Sequence, residues 1–87
     1  MILKIYSVYD KGIEGYMRPW FAQADGQALR LFIDEVDGDS PMAKHPEDYS
    51  LFRIGSFDDE NGTITCDEVK CLARAHEVQT KKVNGDG

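Results

Sequence analysis

The stretch Asp25-Gly26-Gln27-Ala28-Leu29-Arg30-Leu31-Phe32-Ile33-Asp34-Glu35-Val36 decides how the rest of the chain can fold. Leu29, Phe32, Ile33 and Val36 recur at i, i+3, i+4 and i+7, which lines them up on one side of an α-helix. Asp25 stands where an N-cap belongs, and Asp37-Gly38-Asp39-Ser40-Pro41 brings the glycine and following proline that end a helix. The stripe Leu29, Phe32, Ile33 and Val36 is therefore the expected centre of the core, lying on one face of a sheet. Each large side chain buried there contributes roughly 1.5–3 kcal/mol before chain entropy is subtracted.

Strand signals surround this helix. Ile2 to Tyr9 is rich in β-branched and aromatic residues and reads as a first strand, followed by the connecting loop Asp10-Lys11-Gly12-Ile13-Glu14-Gly15. Tyr16 to Ala22 reads as a second strand, at an edge or bulged, because Pro19 has no amide hydrogen for a ladder. Met42 to Tyr49 is polar and turn-rich and is expected to be exposed. Leu51 to Phe57 predicts a third strand, and Asp58-Asp59-Glu60-Asn61-Gly62 a turn into Thr63-Ile64-Thr65, which makes a second hairpin. Thr65 and Glu68 have capping-box spacing, and Val69, Leu72, Ala73 and His76 continue at helical intervals, so a short C-terminal helix is expected. The predicted fold is α+β: a small antiparallel β-sheet in β-β-α-β-β order, packed against one main helix. Residues 1–79 form a single globular domain and residues 80–87 a flexible tail.

Composition limits the function. With 87 residues there is room for one domain. Hydrophobic residues at 41% and charged residues at 30% indicate a globular chain. Sixteen acidic against ten basic side chains give a net charge of −6, which repels phosphate at long range and argues against a protein that coats DNA nonspecifically. No apolar run approaches the roughly 20 residues that a membrane-spanning helix needs, and no secretory leader is expected ahead of the strand-like start Met1 to Ile5. Two cysteines, Cys66 and Cys71, fit a reducing cytoplasm.

Several constellations carry less than they suggest. Asp59, Asn61, Gly62 and Glu68 match part of an EF-hand loop, but Phe57 would occupy its first ligand position. Cys66, Cys71, His76 and His45 lack zinc-knuckle spacing, and on one helix positions five apart diverge by about 140°. Cys71 with His76, or Ser50 with His45 and Asp48, supplies nucleophile and base types without a recognised motif, so no enzyme, metal or cofactor is expected. Arg18, Trp20, Lys44, His45, Tyr49 and Arg53 mix cations and aromatics as a single-strand binding surface would. The same aromatics serve equally as anchors in a protein interface, which suits an acidic domain better.

The blocks IYSVYDK (5–11), YMRPWFA (16–22), GQALRLFIDEV (26–36) and SPMAKHPEDYSLFRIGSFDDENG (40–62) occur in an order that resembles the small nonstructural protein of gokushoviruses, single-stranded DNA bacteriophages of the Microviridae. The likeness covers about Met1 to Thr65. It implies a nonstructural phage protein of the host bacterial cytoplasm, acting in viral DNA replication or in the switch to single-strand synthesis and packaging. The resemblance brings no catalytic or ligand residues; it marks Lys44 to Tyr49 as a candidate surface, which is otherwise a turn stiffened by Pro46. The expected partner is a phage or host replication or assembly protein, with direct single-stranded DNA binding as the alternative. No membrane is expected to be involved. A homodimer is expected, because one helix covers only one face of the sheet.

Overall fold

The computed structural model describes residues 1–80, without the side chains of residues 67 and 68. It is α+β, with a five-stranded antiparallel sheet and helices on one side. The central strand β1 (Ile2–Asp10) pairs along one edge with β4 (Tyr49–Asp58), which pairs in turn with β5 (Thr63–Arg74). Along its other edge β1 holds two short strands, β2 (Gly15–Tyr16) and β3 (Trp20–Ala22). Helix α1 (Asp25–Val36) crosses the sheet, followed by α2 (Pro41–Lys44), a 3-10 turn at Pro46–Asp48, and after β5 the single turn α3 (Ala75–Val78).

The second strand expected at Tyr16 to Ala22 is thus two strands. Pro19 cannot donate to a ladder, so Met17 to Pro19 leave the sheet as a strap. The strap stays tacked down, with Met17 N donating to Val8 O at 2.8 Å and Ser7 Oγ donating to Met17 O at 2.6 Å.

Four further expectations need correction. Within α1 the buried positions are Ala28, Phe32 and Val36, while Leu29 and Ile33 are half-buried. The helix is rotated so that the i, i+4, i+8 row faces the sheet, and Leu29 packs at its flank. Asp25 is not a capping side chain: Ala24 occupies the N-cap, and Gln27 Oε1 reaches back to Gln23 N at 2.8 Å. Met42 to Tyr49 is not an exposed loop throughout, since Met42 and Ala43 are 8% and 2% exposed and seat α2 against α1. Ser40 makes this helix by accepting from Met42 N at 3.2 Å. Finally, Thr65 to Arg74 is strand and not helix. There the ladder to β4 supplies backbone partners that a lone helical turn could not, and it overrides the capping-box spacing. The cysteines accordingly lie on β5, Cys66 exposed and Cys71 half-buried, so the angular argument from a shared helix does not apply.

The core is Tyr6, Val8, Ala28, Phe32, Val36, Met42, Leu51 and Ala75. The chain end locks onto α1: Gln79 Nε2 donates to Val36 O at 3.1 Å and Ala43 O at 3.0 Å, and Thr80 N to Asp37 Oδ1 at 2.8 Å. The rest of the expected tail, residues 81–87, lies outside the described residues.

Helix α1 is clasped to the sheet by one polar cluster. Tyr6 Oη donates to Asp25 Oδ1 at 2.7 Å, and Arg53 Nη1 donates to Asp25 Oδ2 at 2.6 Å. Burial pushes the Tyr6 hydroxyl well above its usual range, and the Asp25 carboxylate adds to that. Burial also pushes Asp25 upward, but the two hydrogen bonds and the guanidinium charge outweigh it and hold the carboxyl below the usual carboxylate range.

Charge-assisted hydrogen bonds contribute about 1.5–3 kcal/mol, and the 41% exposure of Asp25 lowers that, so Asp25→Ala is expected to cost about 1–2 kcal/mol in urea unfolding. Because the folded carboxyl is the stronger acid, its contribution is present above about pH 4 and is lost as the pH falls through the folded value. The wild type should therefore lose more stability than Asp25→Asn between pH 5 and pH 2. Parallel losses in the two proteins would show that the clasp is not the titrating element.

Gly55 offers a second check. A Cβ built there lies 2.6 Å from Thr65 O on the paired strand, so Gly55→Ala must displace the hairpin backbone. The expected cost is about 1–3 kcal/mol, read as a lowered urea midpoint.

Candidate partner-binding cleft

The strap Met17 to Pro19 and the outward side of α1 stand apart and leave a cleft of about 380 Å³. Its floor is Val8, Phe32 and Met42, and its walls are Met17 and Trp20 on one side and Leu31 on the other. Leu31 is 53% exposed although it lies on a helix with a well-buried face. Charge is confined to the rim, with Arg18 on the strap and Asp34 and Glu35 on α1. Such a cleft can seat an apolar side chain and select the charge beside it, which is the anatomy of an interface hot spot.

Trp20 joins this cleft to the core. Its ring stands 6.0 Å from the ring of Tyr6, centroid to centroid, and its Nε1 is buried with no hydrogen-bond partner among the described residues. An orphaned donor of this kind costs about 1–3 kcal/mol, so packing alone does not account for an indole at this position.

The six residues expected to form a surface are distributed over several places. Arg18 and Trp20 meet in the cleft. Arg53 pairs with Tyr6 from the opposite strand, and its charge is engaged by Asp25. Lys44 and His45 are exposed where α2 ends, away from the cleft lining. Tyr49 begins β4, half-buried against the core, and burial together with the Asp10 and Asp48 carboxylates raises its hydroxyl above the usual range. No single cation-aromatic patch is assembled from the six.

Sequence reasoning missed Leu31, Met17 and Met42. Leu31 carried a signal, since it is a large apolar residue outside the helical stripe, whereas Met17 and Met42 come together only through the tertiary fold. Among the described residues, no group of three or more His, Cys, Asp or Glu side chains is placed to hold a metal ion, and no helix is long and apolar enough to cross a membrane. No curated protein and no solved structure matches the chain. The family described as Phage ORF5 protein matches residues 3–78, nearly the whole of the described chain. The protein therefore belongs to the Phage ORF5 protein family.

Proposed function

We propose that this is a nonstructural phage protein of the gokushovirus kind that its sequence blocks resemble. In this reading it has no chemistry of its own and acts in the host bacterial cytoplasm, in viral DNA replication or the switch to single-stranded genome synthesis and packaging. It does so by holding a phage or host replication or assembly protein in the α1 cleft. The observation that carries this reading is the cleft itself, with an apolar floor, an orphaned indole donor in its wall and an acidic rim on α1. The occupant that fits is a protein segment with an apolar anchor side chain beside a Lys or Arg that meets Asp34 and Glu35.

Direct binding of single-stranded DNA is the second reading. The exposed rings of Tyr16 and Phe21 on the open sheet face favour it, because bases stack on such platforms. Against it stand the net charge of −6 and the pairing of Arg53 with Asp25, which leave little to neutralise phosphates.

The test is infection with phage carrying Leu31→Asp, a change at an exposed position that leaves the melting temperature within a few degrees. The expected outcome is at least a ten-fold drop in single-stranded progeny DNA, with double-stranded replicative DNA still made. Normal progeny DNA would overturn the cleft reading. In parallel, labelled single-stranded DNA titrated at low salt should not bind, and salt-sensitive binding weakened by Arg18→Ala would move the function to the second reading.

A further inference from the structure

Among the described residues, no element covers the side of the sheet that faces away from the helices. Cross-strand pairing assigns its residues: Tyr9 opposite Tyr16, Ile5 opposite Phe21, Ser7 opposite Phe52, Leu3 opposite Phe57, and Ile64 opposite Phe57. The rings form two groups. Tyr9 and Tyr16 lie 5.0 Å apart, centroid to centroid, with Tyr16 and Phe52 at 5.6 Å, while Phe21 and Phe57 pair at 5.6 Å toward the other end. Tyr16, Phe21 and Ile64 are 49%, 48% and 60% exposed, an unusual amount of large apolar surface for one face of a small domain.

We infer that this face packs against the same face of a second copy of the chain, making a two-sheet sandwich with the helices outside. Charge is the first argument. In a chain of net charge −6, the ladder positions with a described side chain on this face carry no carboxylate, and the cation among them is Arg74, opposite Ser50 at one end. At those positions two acidic protomers bring no carboxylates into contact. Area is the second. The three long strands β1, β4 and β5, of 9, 10 and 12 residues, with the two- and three-residue strands β2 and β3 beside β1, cover on the order of 600 Å² per copy, given ~3.3 Å per residue and ~4.8 Å between strands. Two copies thus bury on the order of 1,200 Å², the lower end of specific interfaces. Sheets stack face to face at about 10 Å with interdigitating side chains, and a twofold axis lets each aromatic group meet its counterpart in the other copy.

This inference does not depend on the cleft, which lies on the helix side and stays open in such a dimer. Sedimentation equilibrium of the full chain from 1 to 100 µM tests it. The wild type is expected at twice the monomer mass with a micromolar dissociation constant. The double variant Tyr16→Glu/Phe21→Glu should dissociate at least ten-fold more readily while keeping its far-UV circular dichroism, and Leu31→Asp should remain dimeric. If the double variant does not fold, Ile64→Lys at its exposed position gives the same reading. A wild type that is monomeric throughout overturns the inference, and so does a dimer broken by Leu31→Asp but not by the far-side variants.

Discussion

The carboxylate of Asp25, held between the Tyr6 hydroxyl and the Arg53 guanidinium, is the contact on which the arrangement of this small domain depends. Tyr6 lies in the central strand, Arg53 in its neighbour, and Asp25 opens the helix, so one side chain fixes where α1 begins over the sheet. Hydrophobic packing alone is non-directional and would allow α1 to rotate or slide. The clasp anchors its first turn, while burial of Ala28, Phe32 and Val36 holds that row inward and leaves Leu31 outside. The same contact removes Arg53 from any role as a free cation.

Once α1 is fixed, the two sides of the sheet acquire different uses. On the helix side the Pro19 strap cannot close against α1, and the gap becomes the cleft lined by Trp20, Leu31 and Met42. On the far side no element among the described residues covers Tyr16, Phe21 and Phe52, because the described helices pack on the first side. The face left uncovered by the described helices carries the rings of Tyr9, Tyr16, Phe21, Phe52 and Phe57.

Much of the fold was legible in the sequence for local reasons. The helix at Asp25 to Val36, the first strand, the Asn61-Gly62 hairpin and the break at Pro19 each follow from periodicity or turn chemistry, and Gly62 does adopt a positive φ of 76°. The run after Thr65 was misread because its apolar positions fit a helix as well as a bulged strand, and only pairing with β4 decides between them. Asp25 looked like a cap because its partners Tyr6 and Arg53 are distant in sequence. For the same reason, Arg18 and Trp20 could be singled out by residue type, but their separation from Lys44, His45 and Tyr49 could not. The far-side aromatics had a signal in β1, where Ile5 and Tyr9 alternate with Tyr6 and Val8, so that neither face of the strand is polar.

In this member of the Phage ORF5 protein family the apolar cleft and the aromatic sheet face are the two surfaces to which we assign protein contacts. The proposed partner segment enters between α1 and the strap that runs from Met17 to Trp20. Site-specific photo-crosslinking in infected cells tests it most directly, with a benzophenone amino acid placed at Leu31 and, separately, at Lys44. The probe at Leu31 is expected to capture one discrete phage or host protein and the probe at Lys44 to capture none. Capture from Lys44 alone, or of DNA from Leu31, would contradict it.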